Sequence, residues 1–200
     1  RALLIITYRD DELDPRHPLR IVLGDLATSA AVRRVTLTAL SLEAVRALAA
    51  EKPIDVAALH RQTAGNPFFI TEVLADPGGG ISRTMRDAVF ARAARLSPAG
   101  WDVLRAAAVI GPRVEAWALS EVAGPDAAAI DACLALGMLG AQGEALAFRH
   151  ELSRQAVLET LSARQRQDLH RATYAALQRS PATRGDVNRL AHHAVGAGER

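Results

Sequence analysis

Three short stretches carry residues whose types and spacing could do chemistry. Arg9 follows the apolar run Leu3-Leu4-Ile5-Ile6-Thr7-Tyr8 and precedes Asp10-Asp11-Glu12. An unalternating apolar run suits a parallel strand buried on both faces, and open α/β sheets place ligands at the carboxyl ends of such strands. A guanidinium there can fork onto phosphate oxygens. The three acids do not share one face, so they read as a solvated loop and not as a metal site. Gly65-Asn66-Pro67 reads as a joint between two helices: Gly65 as a left-handed end, Asn66 as an N-cap, Pro67 at the first helical position. His150 stands where a strand gives way to a helix, and there an imidazole can cap or pack. Cys133 lies on an apolar stripe, which predicts a packed thiol. His192 and His193 are adjacent, hence about 100° apart on a helix, and are not expected to chelate one metal. No metal site and no Ser/His/Asp or Cys/His set is expected.

These residues need elements to hold them. The run at residues 3–8 predicts a strand, and Val35 and Leu37, alternating with Arg34 and Thr36, predict a second. Between them Pro18 opens a helix with Leu19, Val22, Leu23 and Leu26 on one side. Ser41 caps the next helix, with Leu40 and Val45 at staple spacing. Helices follow at about 55–64 and 68–74, then Asp76-Pro77-Gly78-Gly79-Gly80, the strongest linker in the chain. Ser82 caps a helix carrying Met85, Val89, Ala93 and Leu96. Ser97-Pro98 starts another with Trp101, Leu104 and Ala108, and Gly111-Pro112 ends it. Two short helices at about 115–122 and 126–138 lead to a hairpin over residues 139–149, turning near Gln142-Gly143-Glu144. Three helices and a hairpin is the order of a winged helix. The remainder is helical, with the stripes Leu152, Ala156, Val157, Leu161; Leu169, Ala172, Thr173, Ala176; and Val187, Leu190, Ala191, Ala194, Val195. Paired amphipathic helices at this end suggest the start of a solenoid.

The 200 residues are 50% hydrophobic and only 4% aromatic, which favours helix and room for two or three small cores. A net charge of +2 comes from interspersed signs, so the pI of 9.2 marks no nucleic-acid face. One cysteine excludes an internal disulfide and suits a reducing, cytoplasmic setting. No apolar run reaches the ~20 residues of a membrane span. A strand-like run two residues after Arg1, with no initiating Met, predicts a piece of a longer protein.

Four of these segments, in order, resemble the STAND class of P-loop ATPases, most closely the large ATP-binding regulators of the LuxR type. Residues 7–12 resemble the sensor-1 strand end. Gly65-Asn66-Pro67-Phe68-Phe69-Ile70 resembles the Gly-x-Pro lid motif. Residues 82–97 resemble the linker helix, and Phe148-Arg149-His150-Glu151-Leu152-Ser153-Arg154 resembles the end of the wing. The resemblance implies a mainly α chain, α/β at its N-terminus. Residues 1–40 would be the C-terminal end of the P-loop ATPase sheet, 41–80 a helical lid, 81–163 a winged helix and 164–200 the start of a TPR-like arm. It implies ATP or ADP as ligand, with Arg9 at the γ-phosphate, Pro67 against the adenine ring and His150 at the diphosphate. A joint with fixed φ is a rigid rest for a flat base, and an imidazole can donate to phosphate near neutral pH.

No G-x-x-x-x-G-K-[ST] sequence and no magnesium-holding acidic strand end is present. Magnesium, hydrolysis and DNA contact through a C-terminal helix-turn-helix would therefore belong to other parts of the parent. That parent would be a slow regulatory ATPase that self-associates and senses an inducer through its helical arm. Its output could also be a cyclase or kinase domain. A DNA-binding winged helix is a rival reading, but residues 126–138 contain Asp126 and Asp131 and no basic residue, which opposes entry into a groove. A structural helical adaptor is a third; it leaves the apolar strand and its charged end unexplained.

Overall fold

The computed structural model describes the chain apart from residues 1–2, 10–12, 14–15, 51, 79, 125, 182, 184 and 200. It falls into two units, Arg1–Thr38 and Ala39–Arg200. Among the described residues no helix is long and apolar enough to cross a membrane.

The first unit is built on α1 (Pro18–Asp25), continued by a 3-10 turn at Leu26–Thr28. His17 Nδ1 accepts from the Leu19 amide and Pro18 takes the first turn, where its missing N–H costs nothing. The Arg20 guanidinium donates to the Leu13 carbonyl at 2.6 Å. The two expected strands do not form. Residues 3–9 lie in no helix or strand, with Leu3 87% exposed, and Leu37 is 88% exposed. A strand exists only by pairing, and the described residues of this unit hold no second strand to complete a ladder. Asp10, Asp11 and Glu12 lie outside the described residues.

The second unit begins with α2 (Leu42–Ala49), α3 (Val56–Thr63) and α4 (Pro67–Ala75), each opened by a side-chain cap, from Ser41, Asp55 and Asn66. Val45, Ala49, Leu59, Ile70 and Leu74 form their shared core, with Leu40 packed against it as its staple position requires. The left-handed joint between α3 and α4 starts one residue before Gly65: Ala64 has φ 48° and Gly65 φ 72°. Gly65 is also pressed on Leu40. The Leu40 amide donates to the Gly65 carbonyl at 2.8 Å, and a Cβ on Gly65 would overlap the Leu40 carbonyl oxygen.

The chain turns at Pro77 and Gly78 within this unit, ahead of α5 (Arg83–Ala93) and α6 (Pro98–Ile110). Helix α6 is the centre of the larger core: Val103, Leu104 and the run from Ala106 to Ile110 are buried. Around it stand α7 (Ala116–Ala123), α8 (Ala127–Ala135), α9 (Glu151–Glu159) and α10 (Ala163–Arg179). A three-stranded antiparallel sheet closes one side: β1 (Val114–Glu115), β2 (Leu139–Gln142) and β3 (Ala145–Phe148), with β3 in the middle. Leu139 faces Phe148 across the hairpin, and Val114 faces Leu146. The expected hairpin is present, turning at Gly143 and Glu144. The strand β1 was not expected, because two residues carry no alternation to read.

The last helix, α11 (Val187–Ala197), pairs with α10. Its expected stripe is only partly turned in: Leu190 and Ala194 are half-buried, but Val187 and Val195 are 70% and 75% exposed, while His193 and Ala197 are buried. Gly196 decides this. It lies so close to the His170 ring on α10 that a Cβ there would overlap it, so the side of α11 bearing the glycine is the one that can approach.

Gly65 and Gly143 both hold a positive φ, but only Gly65 is also hemmed in by backbone. Gly143→Ala should cost about 1–2 kcal/mol, the strain of a left-handed residue. Gly65→Ala should cost clearly more, because relief of the overlap must break the Leu40 hydrogen bond. Urea unfolding midpoints compare them, and equal losses would refute the close-packing account.

Candidate functional site

The site expected around Pro67 and His150 starts from the amide of Asn66. Its Oδ1 accepts from the Phe68 N–H at 3.0 Å and so caps α4. That fixes the other end of the amide, and Nδ2 stands 3.3 Å from Nε2 of His150, 84 residues later in the chain. An amide nitrogen only donates, so Nε2 accepts in this pairing. His150 does not cap the helix it precedes. It is half-buried and leans on Phe69, with ring centroids 5.1 Å apart at 60°. Phe69 belongs to the larger core, whereas Ile70 and Leu74 of the same helix belong to the smaller one.

Two further bonds hold this junction. Ser82 caps α5 by accepting from the Met85 amide and donates its hydroxyl to Glu72 of α4 at 2.6 Å. Arg154 forks onto Glu151, at 2.6 Å and 2.9 Å, and donates to the Ala108 carbonyl of α6 at 2.8 Å, which fixes the start of α9 behind His150. Pro67 is exposed at the mouth of the joint, one residue from the Asn66–His150 contact. Arg9 is exposed and belongs to the first unit. Of the three expected ligand residues, the second unit therefore brings together the Pro67 joint and His150. Asn66 was read as a cap alone; its reach to His150 has no local signal.

A second group was not expected. His170 from α10 meets His192 and His193 from α11, and one ring nitrogen from each lies within 4.8 Å of the others. Nδ1 of His170 and Nδ1 of His193 are 3.0 Å apart, so one ring must donate and the other accept. His193 is fully buried. Burial, then the charges possible on His170, His192 and Arg189, push it down to about 4, with the Ile110 backbone acting weakly the other way. Burial, then His192 and Arg166, lower His170 as well. Both rings are neutral at pH 7. The signal for His170 was present but unused: with Thr173 and Leu177 it falls at i, i+3, i+7, and all three are buried.

Beside the trio is a cleft of about 630 Å³ edged by Arg113, Arg154, Arg166 and Arg189. Arg189 pairs with Glu115 through two bonds of 2.7 Å and 2.8 Å, tying α11 to β1. Burial works to raise the Glu115 carboxyl, but the hydrogen bonds and charge of Arg189, with Arg113 adding, hold it below the ordinary value. The Cys133 thiol is buried, donates to the Gly100 carbonyl at 3.5 Å and is pushed up to about 12, so it packs and does not react.

No protein-family model and no curated protein matches this sequence. Among solved structures, a Signal Transduction ATPase with Numerous Domains (STAND) protein with a tetratricopeptide repeat sensor, from Pyrococcus horikoshii, matches with a TM-score of 0.50 and 18% identity. The match covers 84% of this chain and 26% of that one, so this chain spans about a quarter of that protein's length. At that identity the likeness is one of fold: this helical region with its small sheet is built as part of that STAND protein is built.

Two outcomes follow from this geometry. Asn66→Ala should cost about 1 kcal/mol for the cap alone. Combined with His150→Ala in a double-mutant cycle it should show a coupling of about 0.5–1.5 kcal/mol; strict additivity would show that the two side chains do not interact. Separately, His193 has a folded value near 4 against an ordinary 6.5. Between those pH values the unfolded chain takes up a proton that the folded chain refuses, so stability falls as pH drops, by up to about 1.4 kcal/mol per unit. Denaturant titrations from pH 7 to 5 should show this loss, and His193→Gln should flatten it.

Proposed function

We propose that this chain is part of the ATP-binding switch of a signal-responsive regulator of the STAND class, resembling the LuxR type. Residues 41–80 act as its lid, 81–163 as a winged-helix module and 164–200 as the start of a sensor arm. The observation that carries the reading is the Asn66–His150 contact. The joint that would seat the adenine on Pro67 also grips the histidine that would meet the diphosphate. The fold likeness to part of a STAND protein supports the same reading, as does the apolar run Leu3–Ile6, patterned for the inside of a parallel sheet.

The chemistry supplies a coupling. In this form Nε2 of His150 accepts from Asn66. To donate to a phosphate from Nε2, the ring must carry its proton there, and it then gives up the Asn66 amide. Nucleotide at the joint thus trades a lid-to-wing bond for a charge-assisted one, and lid and wing report whether a diphosphate is present. Arg9, at the end of its apolar run, would reach the γ-phosphate and so distinguish ATP from ADP. Magnesium and the main phosphate contacts would come from elsewhere in the parent, with slow hydrolysis resetting the switch. The inducer would act through the helical arm, and the output would be self-association and, through another domain, contact with DNA. Helix α8 carries Asp126 at its cap and Asp131, and no basic residue, which favours a protein-facing role for this module over a DNA-reading one.

The test is made in the intact parent protein. Losing one hydrogen bond to a charged group costs about 1.5–3 kcal/mol. His150→Ala should therefore speed ADP release and raise inducer-free oligomerisation by about one to two orders of magnitude. Arg9→Ala should leave ADP retention intact and weaken the response to ATP. If both variants only lower the melting temperature, with ADP release and assembly unchanged, the site assignment is wrong.

A further inference from the structure

We propose that His170, His192 and His193 form a binding site for a divalent transition-metal ion of the zinc type, held between the last two helices. Neighbouring histidines on one helix diverge and cannot converge on an ion alone. Here the third ring comes from the facing helix and inserts where Gly196 has no side chain. The ring centroids are 5.0 to 5.4 Å apart, and one nitrogen from each ring lies within 4.8 Å of the others. Zinc binds imidazole nitrogen at about 2.0–2.1 Å, which places ligand nitrogens about 3.3 Å apart in a tetrahedral site. The 3.0 Å separation of the two buried Nδ1 atoms is already near that value. His192 is exposed, and rotation of its side chain can close the third side. Imidazole donors suit zinc, copper and nickel, and not calcium or magnesium.

The surroundings support a bound ion. One of the two facing Nδ1 atoms carries the proton of their shared hydrogen bond, and that proton must shift to the Nε2 of its ring before both Nδ1 atoms can bind an ion. His193 Nδ1 is the ring nitrogen turned toward His170. The backbone is braced beside the site, where the Gln167 side chain donates to the Ala197 carbonyl at 2.9 Å. Of the cations nearby, Arg189 is neutralised by Glu115, while Arg166 is occupied by the Leu158 carbonyl. The three histidines all line the Arg-edged cleft. A fourth position on the metal therefore opens toward water. Occupation would pin α11 to α10, independently of any nucleotide.

The chelator-stripped chain, at pH 7, is titrated with zinc chloride against a chromogenic chelator, and its melting temperature is followed in parallel. One equivalent should bind with micromolar or tighter affinity and raise the melting temperature. His192→Ala, at an exposed position, should fold normally and weaken binding at least tenfold, whereas His17→Ala, outside the trio, should leave affinity unchanged. Cobalt substitution should give a visible spectrum of nitrogen coordination that His192→Ala alters. Absence of saturable zinc binding, or binding indifferent to His192→Ala, would overturn the proposal.

Discussion

The second unit depends on how helix α4 is held, because that helix is a wall of two cores at once. Phe69 packs into the larger cluster and Ile70 and Leu74 into the smaller. Its exposed side, with Pro67, Phe68, Thr71 and Ala75, carries no charge to orient it, so polar bonds at its end help to place it. Asn66 does this with one amide: the oxygen stops the helix and the nitrogen reaches His150. Gly65 behind it lets the chain turn against Leu40, where any side chain would collide with backbone. Lys52 donates to the Leu74 carbonyl near the other end of the helix. The angle at which the small helical group meets the large one thus rests on a few hydrogen bonds, each worth about 1 kcal/mol. Contacts of that size can be exchanged for others by a ligand.

The larger core is fixed differently. Helix α6 is small-sided, with Ala106, Ala107 and Ala108 in sequence, and neighbours approach it closely on several sides. Arg154 and Arg189 then lock the periphery. Arg154 satisfies a carbonyl of α6, and Arg189 binds the Glu115 carboxylate in a fork across 74 residues. Both pairs are largely shielded from water, so removing one partner would leave a charge without compensation.

The histidine trio shows a third way of joining elements. Polar rings occupy the seam between α10 and α11, where aliphatic residues would be the ordinary choice, and the aliphatic Val187 and Val195 face water. Burying neutral imidazoles that share one hydrogen bond is a poor bargain for stability at low pH, and it makes the α10–α11 seam sensitive to protons.

Much of the local structure was legible in the residues themselves. Ser41, Asn66, Ser82 and Ser97 each cap the helix they precede, because capping is an exchange between a side chain and amides two or three residues away; Asp55, expected inside its helix, is also a cap. The hairpin at Gly143 and the stripes Met85–Val89–Ala93 and Leu152–Ala156–Val157 were readable for the same reason: period and turn chemistry are local. What depended on partners distant in sequence was not readable. The run Leu3–Ile6 has the composition of a buried strand, but a strand is made by its neighbours, and none stands beside it among the described residues. The two residues of β1 become a strand only because β3 lies alongside. The face of α11 was misjudged because periodicity ranks apolar side chains, whereas the packing was decided by the space above Gly196. By itself the sequence determined where most helices begin and that Pro67 and His150 stand at structural joints, but the helix expected to run to residue 138 stops at Ala135, ahead of β2. Only the tertiary structure decided that Asn66 reaches His150 and that His170 completes a trio with His192 and His193, since those distances are set by packing across 84 and 23 residues and by no local rule.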